Sequence, residues 1–468
     1  MDSVTPDDET KASKPTNPII VLLGILLLAT ALTYLVDSGR YERDGKLVVP
    51  GTYEVLEKDR SPVHLFVTSR AGMPGEAQPV SLIGTLLAIP EGLERMAGLI
   101  FMVLIIGGMF GIMTHSGAID AGLERLLASV RGNLYVLVPA LMIVYSAGST
   151  FLGLASEYLL IIPLMVAMAN RLGLSNVVGL AIVTVAVKAG YLSSVSNPIP
   201  LSIAQPLVGL QIFSGAGYRF LCYLVFLAVG IAFVLLMIRR AGHDATIRRD
   251  FDHAGLSPRH QRVLLIVVFG IALLVYGSNR WHWSHGELSA YYIGMSIVIA
   301  AGAGIGASEA AEAFVRGMKK VLMASMLIGV ASAVAVTLEK GQVLDSIVHG
   351  LTGLIGEDGA WVAAIGMFFS QLLLDFLIPS TSGQAAVSMP ILGPLGQLSG
   401  VAPQTTVLAF LFGNGITNLL TPTSGTLLAY LAAAQVGWVQ WARFAFWLWL
   451  VYIGIAIVML TVAVRIGY

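Results

Sequence analysis

Four short runs of small polar residues interrupt apolar stretches of this sequence. They read GSTFLGLASE at 148–157, SSVSNPIP at 193–200, PSTSGQ at 379–384 and GNGITNLLTPTSG at 413–425. Their hydroxyl and amide groups donate and accept hydrogen bonds without the burial cost of a full charge. A helix broken at such a run frees N–H groups that favour an anion and carbonyls that favour a cation. These runs therefore predict non-covalent binding of a small ligand and an ion.

The candidate ligand residues are the polar, glycine and proline positions of these four runs. They are Ser149, Thr150, Ser156, Glu157, Ser196, Asn197, Pro198, Ser380, Thr381, Ser382, Gly383, Asn414, Asn418, Thr421, Pro422, Thr423 and Ser424. We expect them to converge near the middle of a bilayer, because broken backbone is tolerated there only where it lines a buried or water-filled cavity.

Glu157, Lys188 and Asp375 are the charged residues expected inside apolar segments. Intramembrane charges are candidates for substrate binding or ion coupling. We hypothesise that Lys188 pairs with Glu157 or Asp375. The ammonium would then either replace a bound sodium ion or relay protons. The alternatives are a static structural ion pair and a lysine whose side chain reaches to the membrane interface. No metal site is expected, because an H-E-x-x-H motif and a Cys/His cluster are both missing from the sequence.

The composition predicts an all-α polytopic membrane protein. Of 468 residues, 56% are hydrophobic and 12% are charged, which is roughly half the charged fraction of a soluble protein. Apolar runs of about 18 to 22 residues recur, long enough to cross a bilayer. The predicted spans are 18–37, 96–115, 217–238, 262–278, 289–306, 321–338 and 442–466. Zero net charge gives no general attraction to nucleic acid.

The two halves of the chain share an order of motifs. A tail at 1–17 precedes a first transmembrane repeat at 18–238, and a linker at 239–262 precedes a second repeat at 263–468. Each half has an amphipathic piece (117–130 and 341–355), a proline-bearing hairpin (133–171 and 360–398) and a broken helix (174–208 and 404–431). Paired broken segments predict two inverted-topology repeats, each with a re-entrant hairpin and a discontinuous transmembrane helix, as in secondary transporters.

The linker at 239–262 predicts the orientation. It holds six arginines against three aspartates, so the positive-inside rule places it in the cytoplasm. Counting spans backward then puts the N-terminus in the cytoplasm and a loop at 38–95 outside. The expected location is the cytoplasmic (inner) membrane.

The motifs resemble those of the YfcC family, which are DcuC-like carriers of the ion-transporter superfamily. The stretches that carry the resemblance are LIIGGMFGIMTHSGAIDAGLERL, SSVSNPIPLSIAQPLVGLQIFSGAGYR, IPSTSGQAAVSMPILGPL and VLAFLFGNGITNLLTPTSG, in that order along the chain. The resemblance implies a carrier of C4-dicarboxylates or basic amino acids, with two re-entrant hairpins, two discontinuous helices and a homodimeric assembly. It implies a hairpin tip at 379–384 and broken-helix motifs at 196–198 and 413–424.

The sequence therefore predicts a secondary active transporter, working by symport or exchange, of a small carboxylate-bearing metabolite. An amino acid, also a basic one, is favoured because Glu157 and Asp375 offer acidic partners for an amine; the alternative substrate is a C4-dicarboxylate. Na⁺ or H⁺ is the expected coupling ion, and no other cofactor is expected. An ion channel is an alternative of another class. We do not expect an enzyme, because no histidine or second acid accompanies Ser382 or Ser424 in their broken segments.

Overall fold

The computed structural model describes residues 18–45, 47–66, 76–129, 133–240, 257–281, 283–353, 355 and 359–468. Over these residues the chain is mainly helical. The α-helices are α1 Pro18–Leu35, α2 Leu82–Arg95, α3 Ala97–Ser116, α4 Ala118–Ser129, α5 Leu134–Leu152, α6 Ile162–Arg171, α7 Asn176–Ser193, α8 Pro198–Leu207, α9 Ala216–Arg240, α10 Pro258–Trp281, α11 His285–Gly302, α12 Ala307–Lys340, α13 Leu344–Thr352, α14 Ala360–Asp375, α15 Thr381–Leu398, α16 Pro403–Thr417, α17 Gly425–Ala434 and α18 Trp438–Ile466. The predicted tail at 1–17 and most of the predicted linker lie outside the described residues.

Short strands follow α1. They are β1 Gly39–Arg40, β2 Arg43–Asp44, β3 Leu47–Val48, β4 Glu54–Val55, β5 Glu57–Lys58 and β6 Glu76–Ala77. β1 pairs with β4 and β2 with β3 in antiparallel fashion, whereas β5 and β6 are parallel. A 3₁₀ turn at Pro62–Leu65 follows β5. We call residues 39–66 the end segment, because they cover one end of the helix bundle.

The prediction of an all-α polytopic membrane protein is confirmed. Among the described residues, six helical stretches are long and apolar enough to cross a membrane: 97–115, 134–152, 176–207, 216–240, 307–340 and 438–466. Large apolar side chains such as Phe101, Phe269 and Trp447 are mostly exposed on the outer helix surfaces. Lipid tails would cover them, since a membrane bundle exposes apolar groups to hydrocarbon rather than to water.

Three predicted boundaries were wrong. The loop predicted at 38–95 contains α2. The prediction missed this helix because its proline and the charges of its last turn (IPEGLER) are typical of a loop. The span predicted at 321–338 is part of the 34-residue α12, because the polar stretch before it continues the same helix. The span predicted at 289–306 ends at Gly302, and the chain then turns through Gly304, which has a φ of 66°.

Helices end within or beside all four polar runs. α5 stops at Leu152 and a 3₁₀ turn over Ser156–Leu160 leads into α6, while α14 stops at Asp375 before α15. α7 and α8 are separated by 194–197, and α16 and α17 by 418–424. The start of α7 contacts the end of α17, where Asn176 Nδ2 donates to the Ala434 carbonyl at 3.0 Å. The predicted inversion and re-entrance of the hairpins stay predictions.

Glycines join α12 to α2 and α3 backbone to backbone. An ideal Cβ on Gly317 would lie 2.1 Å from the Gly107 carbonyl oxygen, and one on Gly111 would lie 2.1 Å from that of Ala313. Nearer the C-terminal end of α12, the Gly329 carbonyl oxygen would lie 2.4 Å from an ideal Cβ on Gly92 of α2. Small residues let membrane helices approach this closely. We call α1, α2, α3 and α12 the wall.

The hairpins and interrupted helices form a second tightly joined group with α9 and α18, which we call the core. A Cβ on Gly190 of α7 would lie 2.4 Å from the Ser146 carbonyl of α5, and one on Gly413 of α16 would lie 2.7 Å from the Leu372 nitrogen of α14. The wall and core meet differently. At Gly425 the nearest wall atoms are the side-chain ends of Met96, Leu99 and Ile328, which can shift at small cost.

Gly317→Ala should lower the melting temperature of the purified protein by several degrees, because overpacking a close contact costs about 1–3 kcal/mol. Gly294→Ala in α11 is the matched control. A Cβ at Gly294 meets nothing within 4 Å, so alanine should leave stability equal or slightly higher through its helix propensity. Equal melting temperatures for the two variants would contradict backbone contact at the wall. Heating both variants in the same detergent and recording the remaining monodisperse fraction by size-exclusion chromatography gives the two melting temperatures.

Candidate functional site

A cavity of about 800 Å³ lies between the wall and the core. All four polar runs contribute to its lining. Of the predicted ligand residues, those that line it are Ser149, Ser156, Lys188, Asn197, Ser380, Thr381, Ser382, Gly383, Asn418 and Thr423. The wall contributes residues of α2, α3 and α12, including Arg95, Leu99 and Ile328. The structure thus brings together side chains from every predicted run.

The other predicted residues lie behind this lining. They are Thr150, Glu157, Ser196, Pro198, Asn414, Thr421, Pro422, Ser424 and Asp375. Several of them hold the lining in place: the Thr150 hydroxyl accepts from the Val195 N–H at 3.0 Å, and the Ser424 hydroxyl donates to Asn418 Oδ1 at 2.7 Å. Glu157 Oε2 accepts from the Ala155 N–H at 2.8 Å. These three side chains therefore support the backbone and side chains beside the cavity.

Three helices begin at the cavity. Asn197 caps α8 and accepts from the Ile199 N–H at 3.0 Å, whereas Ser380 and Ser424 cap α15 and α17 and accept from N–H groups in their first turns at 3.3 Å. Residues of all three first turns line the cavity. The N-terminal end of a helix carries roughly half a positive charge. These ends therefore favour a negatively charged group in the cavity.

Lys188 extends from α7 into the same cavity and is only 7% exposed. Within the described part of the chain, no carboxylate oxygen lies within 4.0 Å of its Nζ and no hydrogen bond to it forms. The nitrogen lies 5.8 Å from the centroid of the Tyr191 ring. The structure therefore does not place Lys188 in a direct ion pair with Glu157 or Asp375, and its ammonium is open to a ligand.

Asp375 is fully buried behind the lining. Its Oδ1 accepts from Asn414 Nδ2 at 2.7 Å, and both its oxygens accept from Asn418 Nδ2 at 2.8 and 2.9 Å. Tyr191, which sequence reasoning missed, connects this group to the hairpin. Its hydroxyl lies 2.5 Å from both Asn414 Oδ1 and Thr381 Oγ1. A buried carboxyl group needs such donors, and here two amide side chains provide them.

Four backbone carbonyls in the breaks after α7 and α16 accept hydrogen bonds from protein side chains. Arg219 of α9 is fully buried and donates to the carbonyls of Ser194 and Val195 at 3.1 and 3.2 Å. Trp441 and Trp438 donate to the carbonyls of Leu419 and Leu420, both at 2.8 Å. The sequence did not predict this role of Arg219, because an arginine near the start of a span is usually expected at the membrane interface. These donors fill positions where freed carbonyls would otherwise attract a cation.

The described residues contain no group of three or more His, Cys, Asp or Glu side chains that could hold a metal ion. The part of the cavity between the four polar runs is lined by hydroxyls, amides, helix N-termini and Lys188, while charged side chains of the wall, the end segment and α13 line its other end. This set can bind an anionic ligand through hydrogen bonds and charge.

A second, smaller crevice of about 300 Å³ lies on the other side of the contact between α17 and the wall. The wall lines it with Gly107, Gly111, Gly317 and Lys320 of α3 and α12, and the core lines it with α6 and the ends of α7 and α17. The two spaces therefore flank one wall–core interface from opposite ends of the bundle.

A family model described as C4-dicarboxylate anaerobic carrier (DcuC) matches residues 17–465 of this chain. A relative from Escherichia coli (strain K12) is named as a candidate basic amino acid antiporter, YfcC; it is 26% identical, with 95% of each chain covered. A protein of Haemophilus influenzae without a described function is 24% identical, covering 93% of this chain and 95% of that one.

Two solved transporter structures are similar over most of their length. The Alcanivorax borkumensis YdaH transporter has a TM-score of 0.42 and 16% identity, with 96% of this chain and 99% of that chain covered. MtrF of Neisseria gonorrhoeae, described within a class of antimetabolite efflux pumps, has a TM-score of 0.42 and 17% identity, with 96% and 95% covered.

Arg219→Met should destabilise the protein and weaken ligand binding, because buried carbonyls left without a donor cost about 1–3 kcal/mol each. We expect a melting temperature several degrees lower than that of the native chain. Arg239→Met, at the exposed end of the same helix, is the matched control and should change little. If both variants melt alike, the hydrogen bonds of Arg219 do not hold the break between α7 and α8.

Proposed function

Because this chain belongs to the DcuC family of C4-dicarboxylate anaerobic carriers, we propose that it is a secondary active transporter of a small carboxylate-bearing metabolite. The observation that carries this proposal is the open Lys188 ammonium in a cavity where three helices begin. A carboxylate would bind between that ammonium and the first turns of α8, α15 and α17 through charge-assisted hydrogen bonds. The family consists of transporters, not enzymes.

The charge of the cavity favours a dicarboxylate over an amino acid. The preference for an amino acid rested on Glu157 and Asp375 as partners for its amine. In the structure neither acid lines the cavity, and Asp375 is occupied by Asn414 and Asn418. The remaining lining acids are Glu339 and Asp345, near the end segment. The name of the E. coli relative supports a basic amino acid as the second candidate.

We also propose that substrate binding needs no sodium ion. Backbone carbonyls at helix ends are the sodium ligands expected of such folds. Here those of Ser194, Val195, Leu419 and Leu420 accept from Arg219 and two tryptophans. Lys188 supplies the fixed positive charge instead, and H⁺ or an exchanged substrate provides the coupling.

Transport would proceed by movement of the core against the wall, so that the ligand leaves through the smaller crevice. The seams within each group are backbone contacts, whereas the contact between groups at Gly425 is made by flexible side-chain ends.

We place the protein in the cytoplasmic membrane as a homodimer, with the N-terminus in the cytoplasm. The dimer rests on the family resemblance, and the orientation rests on the basic linker.

Thermal stabilisation of the purified protein by a panel of dicarboxylates, amino acids and short-chain acids tests this proposal. A ligand that binds the folded state raises its melting temperature as concentration increases. We expect dicarboxylates to stabilise with and without sodium, and Lys188→Gln to raise their Kd at least tenfold, which corresponds to about 1.4 kcal/mol. Stabilisation by arginine alone would favour the amino-acid alternative, and strict sodium dependence would contradict the fixed-charge proposal. Flux that never saturates with substrate would indicate a channel.

Lys320→Gln should impair the exchange of substrate through the crevice, since Lys320 lines it. We expect the KM measured from the crevice end to rise several-fold while the KM from the end-segment end stays unchanged. Lys319→Gln is the matched control, because Lys319 is also exposed but lines neither cavity nor crevice. Right-side-out and inside-out membrane vesicles separate the two ends. Equal effects of both variants would argue against a substrate path through the crevice.

A further inference from the structure

Arg43 of the end segment reaches the mouth of the large cavity. Together with Asp345 of α13 it lines this end of the cavity, and its Nη2 lies 2.7 Å from Asp345 Oδ1. The Arg43 side chain is 40% exposed, whereas that of Asp345 is 9% exposed. The guanidinium is therefore tethered on one side and accessible on the other.

The end segment is fixed to α13 at several points. Asp345 Oδ2 accepts from the Tyr41 N–H at 3.0 Å, so the one carboxylate holds both the backbone and Arg43. The Tyr53 ring stacks on His349 with centroids 4.0 Å apart, and the Tyr41 hydroxyl lies 3.1 Å from His349 Nδ1. Burial and the negative charge of Asp345 raise the pKa of Tyr41 to about 12. Arg43 is thus held in place by a packed anchor.

The hydrogen-bond donors of Arg43 are mostly unused. A guanidinium has five N–H donors in a planar fork that matches a carboxylate. Among the described residues, only the bond to Asp345 engages this fork. The second arginine at the mouth, Arg95, is held differently, because both Glu339 oxygens accept from its Nη1 at 2.8 and 2.9 Å. Arg43, which lines the cavity, therefore has more free donors than Arg95.

We propose that Arg43 is a specificity-determining residue that captures the substrate carboxylate at the cavity mouth, with Asp345 as its positioning residue. The inference rests on the proposed function and extends it from the Lys188 site to the entry step. Asp345 and Glu339 offset the charges of Arg43 and Arg95 at this end, so capture rests on the unused N–H donors of the fork at short range. The fork also selects carboxylates over neutral compounds of the same size.

Arg40 provides a matched control within the same segment. It pairs with Glu54 at 3.0 Å with both side chains more than half exposed, and neither residue lines the cavity. Arg43→Gln and Arg40→Gln therefore remove the same charge three residues apart. Uptake of radiolabelled succinate into right-side-out and inside-out vesicles measures KM and kcat from each end.

We expect Arg43→Gln to raise the KM from the end-segment end about five- to tenfold, as loss of one partly exposed charge-assisted contact would do. The kcat and the KM from the other end should change less than twofold. Arg43→Lys should give an intermediate KM, because it keeps the charge and loses the fork. Arg40→Gln should match the native chain. The effect of Arg43→Gln should shrink at high salt.

Asp345→Asn tests the positioning role, with Glu54→Gln as its control. We expect a raised KM from the end-segment end and an unchanged KM from the other end, with a melting temperature a few degrees lower because the Tyr41 N–H and Arg43 lose a charged acceptor. Glu54→Gln should be neutral in all three measurements. The inference is overturned if native protein transports succinate while Arg43→Gln and Arg40→Gln behave alike. If the native protein neither binds nor transports any carboxylate, the proposed function itself fails, which is a separate and distinguishable result.

Discussion

The structure depends on one constraint: backbone groups freed by broken helices inside a bilayer must find partners within the protein. Here the two polarities are treated differently. Carbonyls at the breaks accept from Arg219, Trp438 and Trp441, while the N-terminal turns beyond the breaks face the cavity. Each of these turns also has one N–H that donates to its own cap residue. The remaining first-turn N–H groups and the partial positive charge of the helix ends are what an anion in the cavity would meet.

This arrangement explains why a lysine is tolerated at the centre of the core. A buried ammonium normally needs a carboxylate within salt-bridge distance, and Lys188 has none among the described residues. Its nearest compensation is the Tyr191 ring and the more distant Asp375. Asp375 itself is held by amide donors. Asp375 and Lys188 therefore have different direct contacts, which is why the ammonium is the group that we propose for a substrate carboxylate.

Sequence patterns predicted the membrane class, the family and the places where helices end, because apolar length and glycine–proline–hydroxyl runs are local signals. They could not predict which side chains serve the breaks. Arg219 is distant in sequence from Ser194, and Trp441 from Leu419, so only the packed bundle reveals these pairs. The pairing of Lys188 was predicted from charge alone and did not form directly, because Asn414 and Asn418 satisfy Asp375. The sequence also did not predict that Arg43 lines the cavity, because its segment has the composition of a polar loop and lies far in sequence from α13.

Close backbone contacts at glycines distinguish the packing within the wall and within the core from the packing between them. Backbone contact at Gly317 fixes α12 against α3, and contact at Gly190 and Gly413 fixes the hairpins against the interrupted helices. Neither seam can slide without separating backbones that touch. The interface at Gly425 is made of methionine, leucine and isoleucine side-chain ends, whose rotamers interconvert readily. The cavity and the crevice flank this interface. The close backbone contacts within each group and the side-chain contacts between the groups are thus the observations on which the proposed movement rests.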